Sequence, residues 1–168
     1  MRLILIRHAR AEDLDSKKKS ADALRPLTPD GKRKMKSAAK GLHRLQPGID
    51  VLATSPLKRA MQTAEILVTA CAGKLKVIEL DLLSGGHPPT ALIAWIKDQN
   101  PDAATVAIVG HEPDLSRWAG FFVTGKEKSI VTMKKGAACI IDFPHAPAAG
   151  MGVLAGLHQS ADLRKIGG

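Results

Sequence analysis

Three features of the sequence predict a three-layer α/β/α sandwich with a mainly parallel central sheet and a minimal cap. Short apolar runs alternate with longer amphipathic stretches. The runs at residues 2–6 and 105–109 are almost wholly apolar, as strands covered on both faces are. Two of the amphipathic stretches are introduced by a hydroxyl residue followed by proline, Thr28-Pro29 and Ser55-Pro56, which is helix-start chemistry.

Taken in order, residues 2–6 form the first strand. A polar, lysine-containing loop is expected over residues 11–26, with Lys17, Lys18 and Lys19 in it. Thr28 caps a helix that runs to Leu45 and ends at Pro47-Gly48; Met35, Ala38, Ala39, Leu42 and Leu45 form its apolar face and Lys32, Lys36 and Lys40 a solvated one. Residues 50–54 read as a strand. The next helix, opened by Ser55-Pro56, carries Leu57, Ala60, Met61, Ala64 and Leu67 inward. Residues 76–80 read as a strand, 90–98 as a helix and 105–109 as a strand. A helix follows to about Phe122, and late strands lie at 137–143 and 153–157. No repeat or long linker interrupts this pattern, so one domain over residues 1–168 is expected.

Composition narrows the function classes. The chain has 168 residues, 45% of them apolar, enough for one core. No apolar run approaches the roughly 20 residues that span a bilayer, and the apolar run Leu3 to Ile6 is too short for a leader; a soluble, cytoplasmic protein without a membrane partner is expected. Cys71 and Cys139 are far apart and lie in no metal-binding spacing, so reduced thiols are expected. The net charge of +9 suggests an anionic partner. With no tyrosine and 3% aromatics, the stacking platform of a single-strand nucleic-acid binder is missing, and a nucleic-acid partner is not expected.

In parallel sheets the ligand site lies beyond the carboxyl ends of the strands. Arg7 and His8 follow the first strand, residues 55–59 the second, Asp81 the third and His111 the fourth. One sheet edge thus receives two arginines, two histidines and a carboxylate. Forked guanidinium groups match the oxygens of a phosphoryl group, so Arg7 and Arg59 are candidate clamps. Neutral imidazole is a competent nucleophile toward phosphorus, which fits His8. His111 can hydrogen-bond the transferring group and balance its charge. Such a set requires no metal and no cofactor. A zinc hydrolase is the poorer reading, because a third ligand at helical spacing is missing.

These residues carry a resemblance. Leu5-Ile6-Arg7-His8-Ala9, Arg25-Pro26-Leu27-Thr28-Pro29-Asp30-Gly31, Ser55-Pro56-Leu57-Lys58-Arg59-Ala60-Met61-Gln62-Thr63-Ala64 and Gly110-His111-Glu112-Pro113-Asp114-Leu115-Ser116 together resemble the histidine phosphatase superfamily, which has a phosphoglycerate mutase-like fold. Within it they resemble the small SixA-type phosphohistidine phosphatases. Ala9 departs from the glycine of the wider superfamily and is similar to the SixA-type group. The resemblance implies that His8 is the phosphorylated nucleophile, that Arg7, Arg59 and His111 complete the pocket, and that Arg25 lies near it as a binding residue. A loop arginine paired with a surface carboxylate is an alternative for Arg25. Larger relatives place an acid after the third strand, which implies Asp81; Glu12, Asp13 and Glu79 are its rivals.

With only about 25 residues between Leu80 and Thr105, most of them helical, little chain remains for a large cap. Hydrolysis of phosphohistidine on a protein partner is therefore the leading expectation. A small-metabolite phosphomonoesterase is the second, and a phosphate- or polyphosphate-binding module without catalysis the third. Oligomeric state is left open by the sequence.

Overall fold

The computed structural model describes residues 1–13, 19–72, 75–99 and 103–168. Of the lysines placed in the first loop, Lys17 and Lys18 lie outside the described residues. The strands are β1 (Arg2–Arg7), β2 (Val51–Thr54), β3 (Val77–Glu79), β4 (Thr105–Gly110), β5 (Ala138–Asp142) and β6 (Val153–His158). The helices are α1 (Pro29–Leu45), α2 (Lys58–Ala70), α3 (Pro89–Gln99), α4 (Asp114–Thr124) and α5 (Ser160–Gly167). The strands form one sheet in the order β3-β2-β4-β1-β5-β6. β1 to β4 pair in parallel, while β5 runs antiparallel to both β1 and β6.

Alternation along each strand divides the core in two. Ile4, Ile6, Ala107 and Val109 face Met35 and Leu42 of α1, Ala64 and Leu67 of α2 and Leu163 of α5. Leu3, Leu5, Val106 and Ile108 face Leu92 and Ile96 of α3 and Leu115, Trp118 and Phe122 of α4. All of these side chains are buried, which is why β1 and β4 tolerate no polar residue between their ends. The α/β/α layering matches the sequence expectation.

Thr28 caps α1, its side chain accepting from the Gly31 amide at 2.9 Å, and Pro29 follows as the first helical residue. The second hydroxyl–proline pair behaves differently. α2 begins at Lys58 with Leu57 as its cap residue, so Ser55 lies outside the helix and its hydroxyl is available elsewhere. The expected loop over residues 11–26 contains a 3₁₀ turn, Lys19–Leu24.

Helix α5 was not expected from the sequence. It has eight residues, one fully buried large apolar side chain (Leu163) and a glycine-rich end, too little for a periodic signal. Its start is fixed by reciprocal capping between Gln159 and Asp162. It lies so close to α1 that a Cβ on Gly41 would collide with the Leu163 carbonyl oxygen, and one on Gly167 with the Ser37 carbonyl oxygen. Gly41→Ala is therefore expected to destabilise by about 1–3 kcal/mol through forced separation of the helices. Thermal unfolding should show a drop of several degrees, with Lys40→Ala on the exposed face as the unaffected control.

Candidate active site

β1 and β4 are neighbours with Arg7 opposite Gly110, and β2 lies on the other side of β4 with Thr54 opposite Val109. The residues that follow these three strands therefore meet at one edge. The His8 amide donates to the Gly110 carbonyl at 3.1 Å, and the Ser55 amide to the Val109 carbonyl at 3.0 Å. The rings of His8 and His111 come to 5.0 Å between centroids.

His8 is 7% exposed. Its Nδ1 lies 2.7 Å from the Ala9 carbonyl oxygen. A carbonyl can only accept, so Nδ1 carries the proton and the lone pair of the neutral ring resides on Nε2. Burial pushes the His8 pKa down to about 3, against an opposing contribution from the Ala9 bond; the charges of Arg59 and Arg7 push it further down. The ring is neutral at physiological pH.

His111 is also held neutral, its pKa lowered to about 4 by burial first and then by Arg59. Its Nε2 lies 2.9 Å from Ser55 Oγ. The Leu57 amide donates to that same oxygen at 3.3 Å. His111 Nδ1 is buried and has no partner within the protein.

Arg7 is fixed through its terminal nitrogen, which donates to the Met133 carbonyl at 2.7 Å. Arg59, 6% exposed, sits in the first turn of α2, where the helix dipole also favours an anion. Its terminal nitrogens donate to Asp22, one to the main-chain oxygen at 2.9 Å and one to the carboxylate at 3.2 Å. Thr63 ties this turn to the His8 loop: its hydroxyl donates to the Arg59 carbonyl at 2.7 Å and accepts from the Ala9 amide at 3.1 Å. Arg7 Nε and Arg59 Nε are buried without partners. Thus three of the four unpartnered buried side-chain polar atoms among the described residues belong to Arg7, Arg59 and His111.

Arg25 bonds the Asp22 carboxylate through Nε at 2.8 Å and the Glu12 carbonyl at 2.9 Å. It thus pairs with a partly exposed carboxylate, the alternative reading for Arg25, and that carboxylate also holds Arg59. Asp81 is exposed at the start of a 3₁₀ turn, Asp81–Ser84, and accepts from the Ser84 hydroxyl at 3.1 Å. That turn lies against the residue before His111, with the Leu83 carbonyl oxygen 3.8 Å from where a Cβ on Gly110 would stand. Glu12, Asp13 and Glu79 are exposed. Glu112 accepts from Ser116 at 2.6 Å. The carboxylates whose charge is felt at His111 are Asp22 and Asp114, neither singled out by the sequence. Asp114 is anchored by the Gly86 amide at 2.7 Å.

Two imidazoles and two guanidinium groups converge at the carboxyl edge of a doubly covered sheet, the arrangement of a phosphoryl-handling α/β protein. The chain belongs to the histidine phosphatase superfamily: the model of its branch 1 matches residues 3–84, the stretch that holds Arg7, His8, Arg25, Arg59 and Asp81. An uncharacterised protein of Picosynechococcus is 37% identical over 150 residues, 83% of this chain and 88% of the relative. Among solved structures, the protein histidine phosphatase SixA complexed with tungstate superposes with a TM-score of 0.82 at 20% identity, covering 97% of this chain and 99% of that one. The α-ribazole phosphatase of Shigella flexneri gives 0.72 at 19% identity, covering 95% and 97%. Both share the phosphoglycerate mutase-like fold found here. Among the described residues no helix is long and apolar enough to cross a membrane.

Proposed function

We propose that this phosphatase hydrolyses phosphohistidine on a protein partner through a covalent intermediate on His8. The observation that carries the reading is the set of buried, unpartnered nitrogens, Arg7 Nε, Arg59 Nε and His111 Nδ1, beside an imidazole whose Nε2 lone pair is free. Buried donors left unpaired are costly, and three of them together suit the three equatorial oxygens of a phosphoryl group in transfer.

His8 Nε2 attacks phosphorus; an N–P bond forms as the bond to the leaving imidazole breaks, and the leaving ring keeps the proton on its other nitrogen. Water then attacks phospho-His8, releasing inorganic phosphate and restoring the neutral ring. Arg7 and Arg59 balance the oxygens in both steps. The Ser55 hydroxyl, which accepts from the Leu57 amide, is assigned in this reading as the donor to His111 Nε2. This puts the proton of His111 on Nδ1, where it serves as a donor to the phosphoryl group. No step calls for a metal.

Two features support a large substrate. Residues 81–99 form a 3₁₀ turn and α3, with Leu83, Leu92 and Ile96 buried in the core, rather than a cap over the pocket. Asp81 is the proton donor we assign for oxygen esters, and an imidazole leaving group makes little demand on it. A small-metabolite phosphomonoesterase is the second reading, favoured by the shared fold of the α-ribazole phosphatase.

One comparison separates them. kcat/KM is measured on a phosphohistidine protein and on a panel of small phosphate esters, with wild type and Asp81→Asn. We expect wild type to prefer phosphohistidine by at least tenfold, and Asp81→Asn to slow the esters more than the phosphoramidate. A clear preference for one small ester rejects the protein substrate. Equal losses on both classes make Asp81 a positioning residue.

A further inference from the structure

Arg59 has five N–H donors in a planar fork, and its contacts divide them. Both terminal nitrogens bond Asp22, while Nε is buried and free. We infer that Asp22 is a positioning residue that fixes the rotation of the Arg59 guanidinium, so that its Nε edge is the edge presented to the phosphoryl group. This rests on the phosphoryl pocket proposed above and extends it to a residue in the segment before α1.

The geometry is over-determined on the Asp22 side. The Asp22 carboxylate pairs with Arg25 at 2.7 Å and with Arg59 at 3.2 Å, and its main-chain oxygen takes the other Arg59 nitrogen. Arg25 is in turn tied to the Glu12 carbonyl, and the Arg25 amide donates to the Asp22 carbonyl at 3.2 Å. Asp22 is therefore anchored independently of Arg59. The Arg59 side chain is 8% exposed against 39% for Asp22, so the buried guanidinium is steered by a partner at the rim. Burial pulls the Asp22 carboxyl up, but Arg59 and Arg25 together outweigh it and hold it below the usual carboxylate range. It remains ionised and does not serve as the proton donor. An arginine fork is sensitive to such rotation because two parallel bonds must align at once, whereas an ammonium is a point charge.

The test is a double-mutant cycle with phosphohistidine peptide as substrate and inorganic phosphate as competing probe. Asp22→Ala should lower kcat/KM about tenfold or more in the wild-type background, chiefly in kcat, with weaker phosphate inhibition. In an Arg59→Lys background, where there is no fork to orient, the same change should cost less than about twofold. Asp22→Asn, which keeps an acceptor oxygen, should recover at least half of the loss. Equal fold losses in both backgrounds, or no recovery by Asn, overturn the orienting role. Unfolding temperatures should move little in Asp22→Asn, which keeps an acceptor for the buried guanidinium; a large drop there that accounts for the lost activity also overturns it. A different result, His8→Ala with undiminished turnover, would instead reject the pocket itself.

Discussion

His8→Ala should abolish turnover, lowering kcat/KM by at least ~10³-fold, because the pocket then lacks the atom that bonds phosphorus. Loss of activity alone does not identify a nucleophile, so the deciding measurement is the intermediate. After brief exposure to labelled phosphohistidine substrate and a rapid quench in alkali, wild type should carry acid-labile phosphate and His8→Ala none. Equal labelling of the two would remove His8 from the role. His111→Ala should keep some labelling, since its ring is assigned to charge rather than bonding. pH sharpens the expectation. The His8 pKa of about 3 and the His111 pKa of about 4 keep both rings neutral down to about pH 5, so phosphorylation of the free enzyme should persist well below the ordinary histidine range. Stability has the opposite sign. An unfolded histidine takes up its proton near pH 6.5, while buried His8 does not. The unfolded chain therefore binds more protons between about pH 6.5 and pH 3, and folding stability falls as pH falls through that window.

The elements that bring His8 and His111 together were legible because each is local. An apolar run that stops at Arg7 and another that stops at Gly110 define two strand ends, and parallel pairing places those ends side by side. The same logic placed Arg59 near the edge, and the apolar faces of α1 and α2 followed from residue spacing. What stayed hidden depends on contacts between distant segments. Asp22 meets Arg59 across 37 positions, from a polar stretch with no periodicity to read. Ser55 has the sequence signature of a helix cap, yet Leu57 holds that position. A serine before proline has the same local signature whether it caps a helix or holds a histidine 56 positions away, and only the tertiary path decides. Thr63 is similar: it lies within a quoted motif, yet its link between Ala9 and Arg59 requires knowing that α2 runs past the His8 loop. Helix α5 was missed for the reason given by its length, and its stability derives from glycines on both partners that allow close approach rather than from its own pattern.

Arg59→Ala is the other change expected to be severe. The guanidinium is nearly buried, so its charge acts in a medium that screens it less than water does. Removing one preorganised group from a developing oxyanion typically costs 10²–10³ in kcat, about 2.7–4 kcal/mol, and a loss of that size is expected here. Arg59→Lys separates charge from geometry. An ammonium restores the positive charge but not the parallel pair of bonds, so it should recover part of the loss and leave a deficit of about tenfold. The substitution also shifts three neighbouring groups in the same direction. With the cation gone, one of the charges that depress His8 and His111 disappears, so both rings should become easier to protonate. Asp22 loses one of its two arginine partners, so its carboxyl should also take up a proton more readily. Titration of the histidine ring signals in Arg59→Ala should therefore show upward shifts for His8 and His111 alone among the six histidines. Unmoved rings, together with a small kinetic loss, would place the guanidinium outside the phosphoryl pocket. Shifts without a kinetic loss would leave Arg59 as a tuner of the imidazoles, with Arg7 as the clamp that bears the transition-state charge.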